Sequence, residues 1–166
     1  MKDRLFLVAS LIVIILGIIV FYMAAYMWII PYFHDQTLRT FSEPFLHITL
    51  PSGTQEIDRI SKVGQQSGGN INECDYLAAF LLKTGLAKSE LQEYYAGHYS
   101  GKYKVHFYWL NEPHGPGIGV INPSGIPTFD DWVNQAEKSG ANVIVYIMEP
   151  ALTSSVDQRC SGPLGI

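Results

Sequence analysis

Between Leu5 and Ile30 the sequence LFLVASLIVIILGIIVFYMAAYMWII contains no Asp, Glu, Lys or Arg. Coiled as a helix, this run is long enough to cross a hydrocarbon core of ~30 Å with some tilt. Tyr22, Tyr26, Trp28 and Tyr32 gather towards its far end, where amphipathic rings suit the lipid–water boundary. A cleaved secretory signal would have an apolar core of roughly 7–15 residues and a small-residue cleavage site. Here the run is longer, and Ala24 and Ala25 are preceded by the bulky Tyr22 and Met23. No cysteine follows closely enough for a lipoprotein, and the length argues against a soluble core helix. The sequence therefore predicts an uncleaved single-pass anchor over residues 5–30.

Flanking charge sets the expected orientation. Lys2 and Arg4 precede the run, and only Arg39 follows it closely. Positive-inside then puts residues 1–4 in the cytoplasm, the anchor in the plasma (inner) membrane, and the remainder in the periplasm or cell exterior. Setting aside Lys2, Arg4 and Asp3 leaves nine basic against fourteen acidic residues from Pro31 onward. An acidic domain neutralises phosphates poorly, so nucleic acid is not an expected partner.

Residues 31–50 read as a tether and lead-in, with FLHITL alternating like a short strand. Residues 51–166 are the size of one small domain. Within it, PSGT makes a turn, EIDRISKV a strand, and QQSGGNINE a loop. CDYLAAFLLK is apolar on both faces. Either helix or buried strand fits it, and strand is preferred because the next segment opens its own helix. Ser89 and Gln92 have capping-box spacing before Leu91, Tyr94, Tyr95 and His98 on one helical face. KYKVHFYWL alternates as a half-buried strand, GIGVI reads as a short return strand, and Thr128 with Asp131 opens a helix closed by Gly140. NVIVYIMEP is apolar on both faces, like an interior strand. The order from Asp75 is β-α-β-β-α-β, so the expectation is an α+β domain, ferredoxin-like, with EIDRISKV as an extra N-terminal edge strand.

The PSGT turn, the GGNINECDY loop, the SELQEYY helix start and the late DQRC resemble a group of small bacterial exported or membrane-anchored domains, over about residues 51–160. That group carries no assigned activity. The resemblance implies extracytoplasmic placement and the pairing of Cys74 with Cys160.

The residues themselves give three readings for Cys74. A reactive thiolate wants a cationic setting, whereas Glu73 and Asp75 flank this one with negative charge. Zinc needs several closely spaced ligands, and Cys74 and Cys160 are the only cysteines. Two cysteines in an oxidising compartment point to a disulfide, with free thiols as the alternative. His98, His106 and His114 form no compact metal motif, GPGIGVINPSG lacks the order of a phosphate loop and has no Walker lysine, and GxSxG is absent. No cofactor or metal is expected. Most of the aromatic residues between Tyr94 and Trp109 are accounted for as core; Tyr99 and Tyr108, with His114 and Gly115 in the PHGPGIG loop, are the expected contact surface. The leading functional expectation is a non-enzymatic module that binds or assembles an envelope protein. A binding module for a small ligand or wall sugar, and an envelope hydrolase, are the alternatives.

Overall fold

The apolar run does not stop at Pro31. In the computed structural model, which describes residues 2–64, 73–110, 132 and 138–154, three helical segments follow without a break. They are α1 (Lys2–Ala24), a π-helical turn (Ala25–Ile29) and α2 (Ile30–Leu46). The Phe6–Leu46 stretch is long and apolar enough to cross a membrane, and none of its most apolar window is buried within the protein. Proline normally clashes with the carbonyl four residues back and leaves it without a donor. The π turn absorbs that cost: the Ile30 N–H donates to Ala25 O, five residues back, just before Pro31 enters. A π turn widens the helix locally, and this one sits where an α-helical ladder would otherwise break.

The segment read as a tether is thus helical as far as Leu46, and FLHITL is the end of that helix followed by the His47–Leu50 link, not a strand. Leu38, Phe41, Ser42 and Phe45 recur at helical spacing, and Phe41, Ser42 and Phe45 are buried. Alternation over six residues was a weaker signal than this longer 3.6-residue period.

Among the described residues four strands follow: β1 (Thr54–Gly64), β2 (Glu73–Thr84), β3 (Val105–Trp109) and β4 (Val143–Ser154), with α3 (Lys88–His98) between β2 and β3. All pairings are antiparallel and the order is β1-β2-β4-β3. The domain is therefore α+β, with EIDRISKV as an edge strand and CDYLAAFLLK as a strand. β2 and β3 run parallel on either side of β4. A ferredoxin-like order would pair β2 with β4, as found, but would set a strand from the 118–121 region on β2's other edge. β1 occupies that edge instead, in register from Thr54↔Thr84 to Gly64↔Asp75 around a bulge at Glu56/Asp58. The GIGVI strand lies outside the described residues, as does most of the expected 129–136 helix, of which Trp132 is helical.

The apolar character of β2 on both faces follows from its central place. Tyr76, Ala78, Phe80 and Leu82 pack under α2 and α3 with Phe45, Leu91, Tyr95, Val143, Val145 and Ile147. Leu77, Ala79 and Leu81 pack on the opposite face with Ile144 and Trp132. The cap of α3 lies two residues before the expected one: the Ala87 N–H donates to the Glu90 carboxylate at 2.8 Å, and Ser89 lies in the first turn. At the far end of the sheet Asn142 clamps Thr84, its side chain bonding both the Thr84 N–H and C=O. Gly140 supplies the left-handed turn (φ 77°) into β4.

Candidate functional site at the junction of helix and sheet

α2 runs along β2 from Tyr76 towards Phe80. At its start, His34 Nδ1 lies 2.6 Å from the Tyr76 hydroxyl, and the two rings stack at 5.9 Å. Phe41, two helical turns on, meets Tyr76 at 6.0 Å and Tyr103 edge-on at 4.8 Å. Tyr76 stands opposite Glu149 in the β2–β4 register. Glu149 Oε2 accepts from the Tyr103 hydroxyl, and Oε1 pairs with Lys102 Nζ at 3.3 Å. Lys102 also lies over the Tyr103 ring. The apolar helix therefore gives way to the core through a belt of His34, Tyr76, Phe41, Tyr103, Glu149 and Lys102.

The electrostatics match that placement. Tyr103 is pushed up to about 12, first by burial and then by its bond to the Glu149 carboxylate and that group's charge. Both Glu149 oxygens are engaged, so this carboxylate is committed to a hydrogen bond and an ion pair within the belt. At the other end of α2, Arg59 Nη1 donates to the Leu46 carbonyl at 3.0 Å, while Nε and Nη2 hold Glu56 at 2.6 Å. Burial draws the Tyr95 hydroxyl well above the usual phenol range.

A second polar group lies on the opposite sheet face. Trp132 Nε1 donates to Asp58 at 2.7 Å, and His106 stacks on Tyr146 at 5.1 Å. Burial, then the neighbouring Lys104, holds His106 below the ordinary imidazole range. Among the described residues no group of three or more His, Cys, Asp or Glu is placed to hold a metal.

Of the contact residues expected from sequence, Tyr99 and Tyr108 pack against different faces of the sheet. Tyr99, half-buried after α3, packs edge-on against Phe45 at 5.6 Å in the helix-side core. Tyr108, half-buried in β3, packs against the core of the other face. His114 and Gly115 lie outside the described residues. Cys74 lies in β2, one residue after its start, and Cys160 is outside the described residues, so the pairing of the two falls outside them also. Sequence reasoning missed His34, Tyr76, Tyr103 and Glu149. The 34/38/41/45 spacing carries a signal for His34, which the reading of residues 31–50 as a tether and lead-in passes over. No family model, no curated protein and no solved structure matches the chain.

Proposed function

We propose that this chain is a single-pass membrane-anchored module of the cell envelope, facing the periplasm or exterior, which presents its α+β domain in a fixed orientation to a protein partner. One observation carries the reading: the apolar helix enters the domain core without a linker, through Phe41 and Phe45. Ligand capture at a distance favours a long flexible tether, whereas a rigid stalk limits the domain to partners at one height and angle. The kinship with small bacterial exported or membrane-anchored domains, and a Cys74–Cys160 disulfide, belong to the same proposal.

Crosslinking of the full-length chain in native membranes tests it. A partner that recurs with the native chain, is lost on Tyr108→Ala and is kept on Tyr99→Phe supports the reading. Tyr99→Phe is the right control because Tyr99→Ala would also strip packing from Phe45. Turnover of a wall or lipid substrate by the purified full-length chain, with no recurring partner, would establish the hydrolase alternative instead.

A further inference from the structure

We infer that the inner end of the sheet rests on the lipid headgroups of its own membrane, with Lys62, Lys102 and Lys104 facing their phosphates. The inference rests on the anchored reading above and adds a surface and a partner to it.

The first ground is continuity. Trp28, Tyr32 and Phe33 are 71%, 59% and 62% exposed, so among the described residues nothing covers the ring-rich end of the apolar helix. Such rings belong at the lipid boundary. His34 follows Phe33 directly and already touches Tyr76. Two residues of helix, from Tyr32 to His34, advance only about 3 Å along the axis. The Tyr76 end of the sheet is therefore held within a side chain's reach of the boundary. A flexible tether would have left that distance open.

The second ground is what the topology brings to this end. β2 and β3 begin here, and β1 and β4 arrive here, because α2 runs from Tyr76 towards Phe80. The register aligns Lys62 with Leu77 and, across β2, Leu77 with Met148. Lys102 and Lys104 lead into β3, whose first residue, Val105, pairs with Ile147. Lys62 thus sits at one edge of the inner end and Lys102 and Lys104 at the other. Lys102 and Lys104 are exposed and Lys62 is half-buried. Of the nearby carboxylates, Glu149 is held by Lys102 and Tyr103, Asp75 is buried, and Asp35 is exposed on α2; Glu73 opens β2. Ammonium groups near a bilayer are drawn to anionic headgroups over about a Debye length, ~8–10 Å. Three of them on a rigidly held end lose little orientational freedom on contact, since the helix has already fixed it.

The full-length chain in vesicles separates the outcomes. In phosphatidylcholine vesicles with added phosphatidylglycerol, amide exchange over 99–105 should be slower by about threefold or more than in phosphatidylcholine alone. High salt and the double variant Lys62→Gln/Lys104→Gln should each remove the difference, with the unfolding midpoint of the variant unchanged. Equal exchange in both vesicle types, with the α1 amides protected in both, would overturn the headgroup contact and leave the anchor standing. Unprotected α1 amides in both would overturn the anchor and this inference with it.

Discussion

His34 Nδ1 and the Tyr76 hydroxyl meet at 2.6 Å, directly after the Tyr32–Phe33 pair that ends the ring-rich part of the apolar helix. This contact, with the Phe41 ring against Tyr76, makes the helix part of the domain it carries. Tyr76 is 6% exposed, so Tyr76→Phe, which keeps the ring and removes the hydroxyl, should cost about 1 kcal/mol of unfolding free energy. Tyr76→Ala should cost roughly 3–5 kcal/mol, because a cavity opens between helix and strand. Denaturant titration of the two variants in the same detergent measures both. Equal losses would mean that the ring contributes nothing beyond its hydroxyl.

Arg59 fastens the opposite end of α2 by donating to the Leu46 carbonyl while Glu56 holds the guanidinium in place. A cation at a helix C-terminus is attracted by the negative end of the dipole and satisfies an orphan carbonyl. The Arg59 side chain is 49% exposed, so solvent screens the pair and Arg59→Gln should cost only about 0.5–1 kcal/mol. The amides of the last turn of α2 should also exchange faster in this variant, a change that loss of a surface ion pair alone would not produce.

The strands and α3 were legible because local pattern and final environment agree. Tyr103, Val105, Phe107 and Trp109 face the helix-side core while Tyr108 faces the other, as their alternation predicts. The strand order was not legible. Which strand occupies β2's free edge depends on a contest between the local β1–β2 hairpin and a longer connection, and hydrophobic periodicity is the same in both cases. The junction was hidden for another reason. Pro31 is a helix stop in an α ladder, and only the shift of one bond from four residues back to five lets the helix continue. No residue-type rule signals that shift.

Tyr99 is held from below by Gly101. A Cβ built at Gly101 collides with the far end of the Tyr99 ring, which is packed edge-on to Phe45. Gly101→Ala should push the ring off Phe45 and cost roughly 1–3 kcal/mol, as overpacking generally does. Tyr99→Leu combined with Gly101→Ala should recover part of the loss, since the shorter side chain leaves room. A single variant as stable as the native chain would show that Tyr99 swings clear without losing useful contact.

Two perturbed groups bracket the pH range in which the domain is most stable. Tyr103 is raised from 10.0 to about 12. Its neutral form is favoured by folding, so its contribution is intact below pH 10 and is lost as pH rises from there to about 12. His106 is lowered from 6.5, by burial first. Folding favours its neutral form too, so that contribution is present above pH 6.5 and fades as pH falls below it. Unfolding midpoints across pH should therefore decline on both limbs. Tyr103→Phe should make the alkaline limb shallower, leaving the share of the buried Tyr95, and His106→Gln should flatten the acid one. Exchange of the effects between the two variants would refute the assignment.

The last prediction concerns Cys74, which lies in β2 one residue after its start. The register sets Glu73 opposite Ser154, so β4 ends beside the strand position next to Cys74. Cys160 is the sixth residue after Ser154, and six residues extend at most about 20 Å. The second sulfur is thus on a short lead from a point next to the first. Bonding them closes a long loop, which loop-closure entropy values at roughly 4–5 kcal/mol before any strain. The bond would also tie the chain beyond β4 to the central strand. Protein purified from membranes without reductant should show the mass of a single disulfide and yield one linked peptide containing both cysteines. Reduction should lower the unfolding midpoint, and Cys74→Ser/Cys160→Ser should match the reduced chain. Two alkylatable thiols in the unreduced protein would sink both the bond and the oxidising compartment from which it was argued.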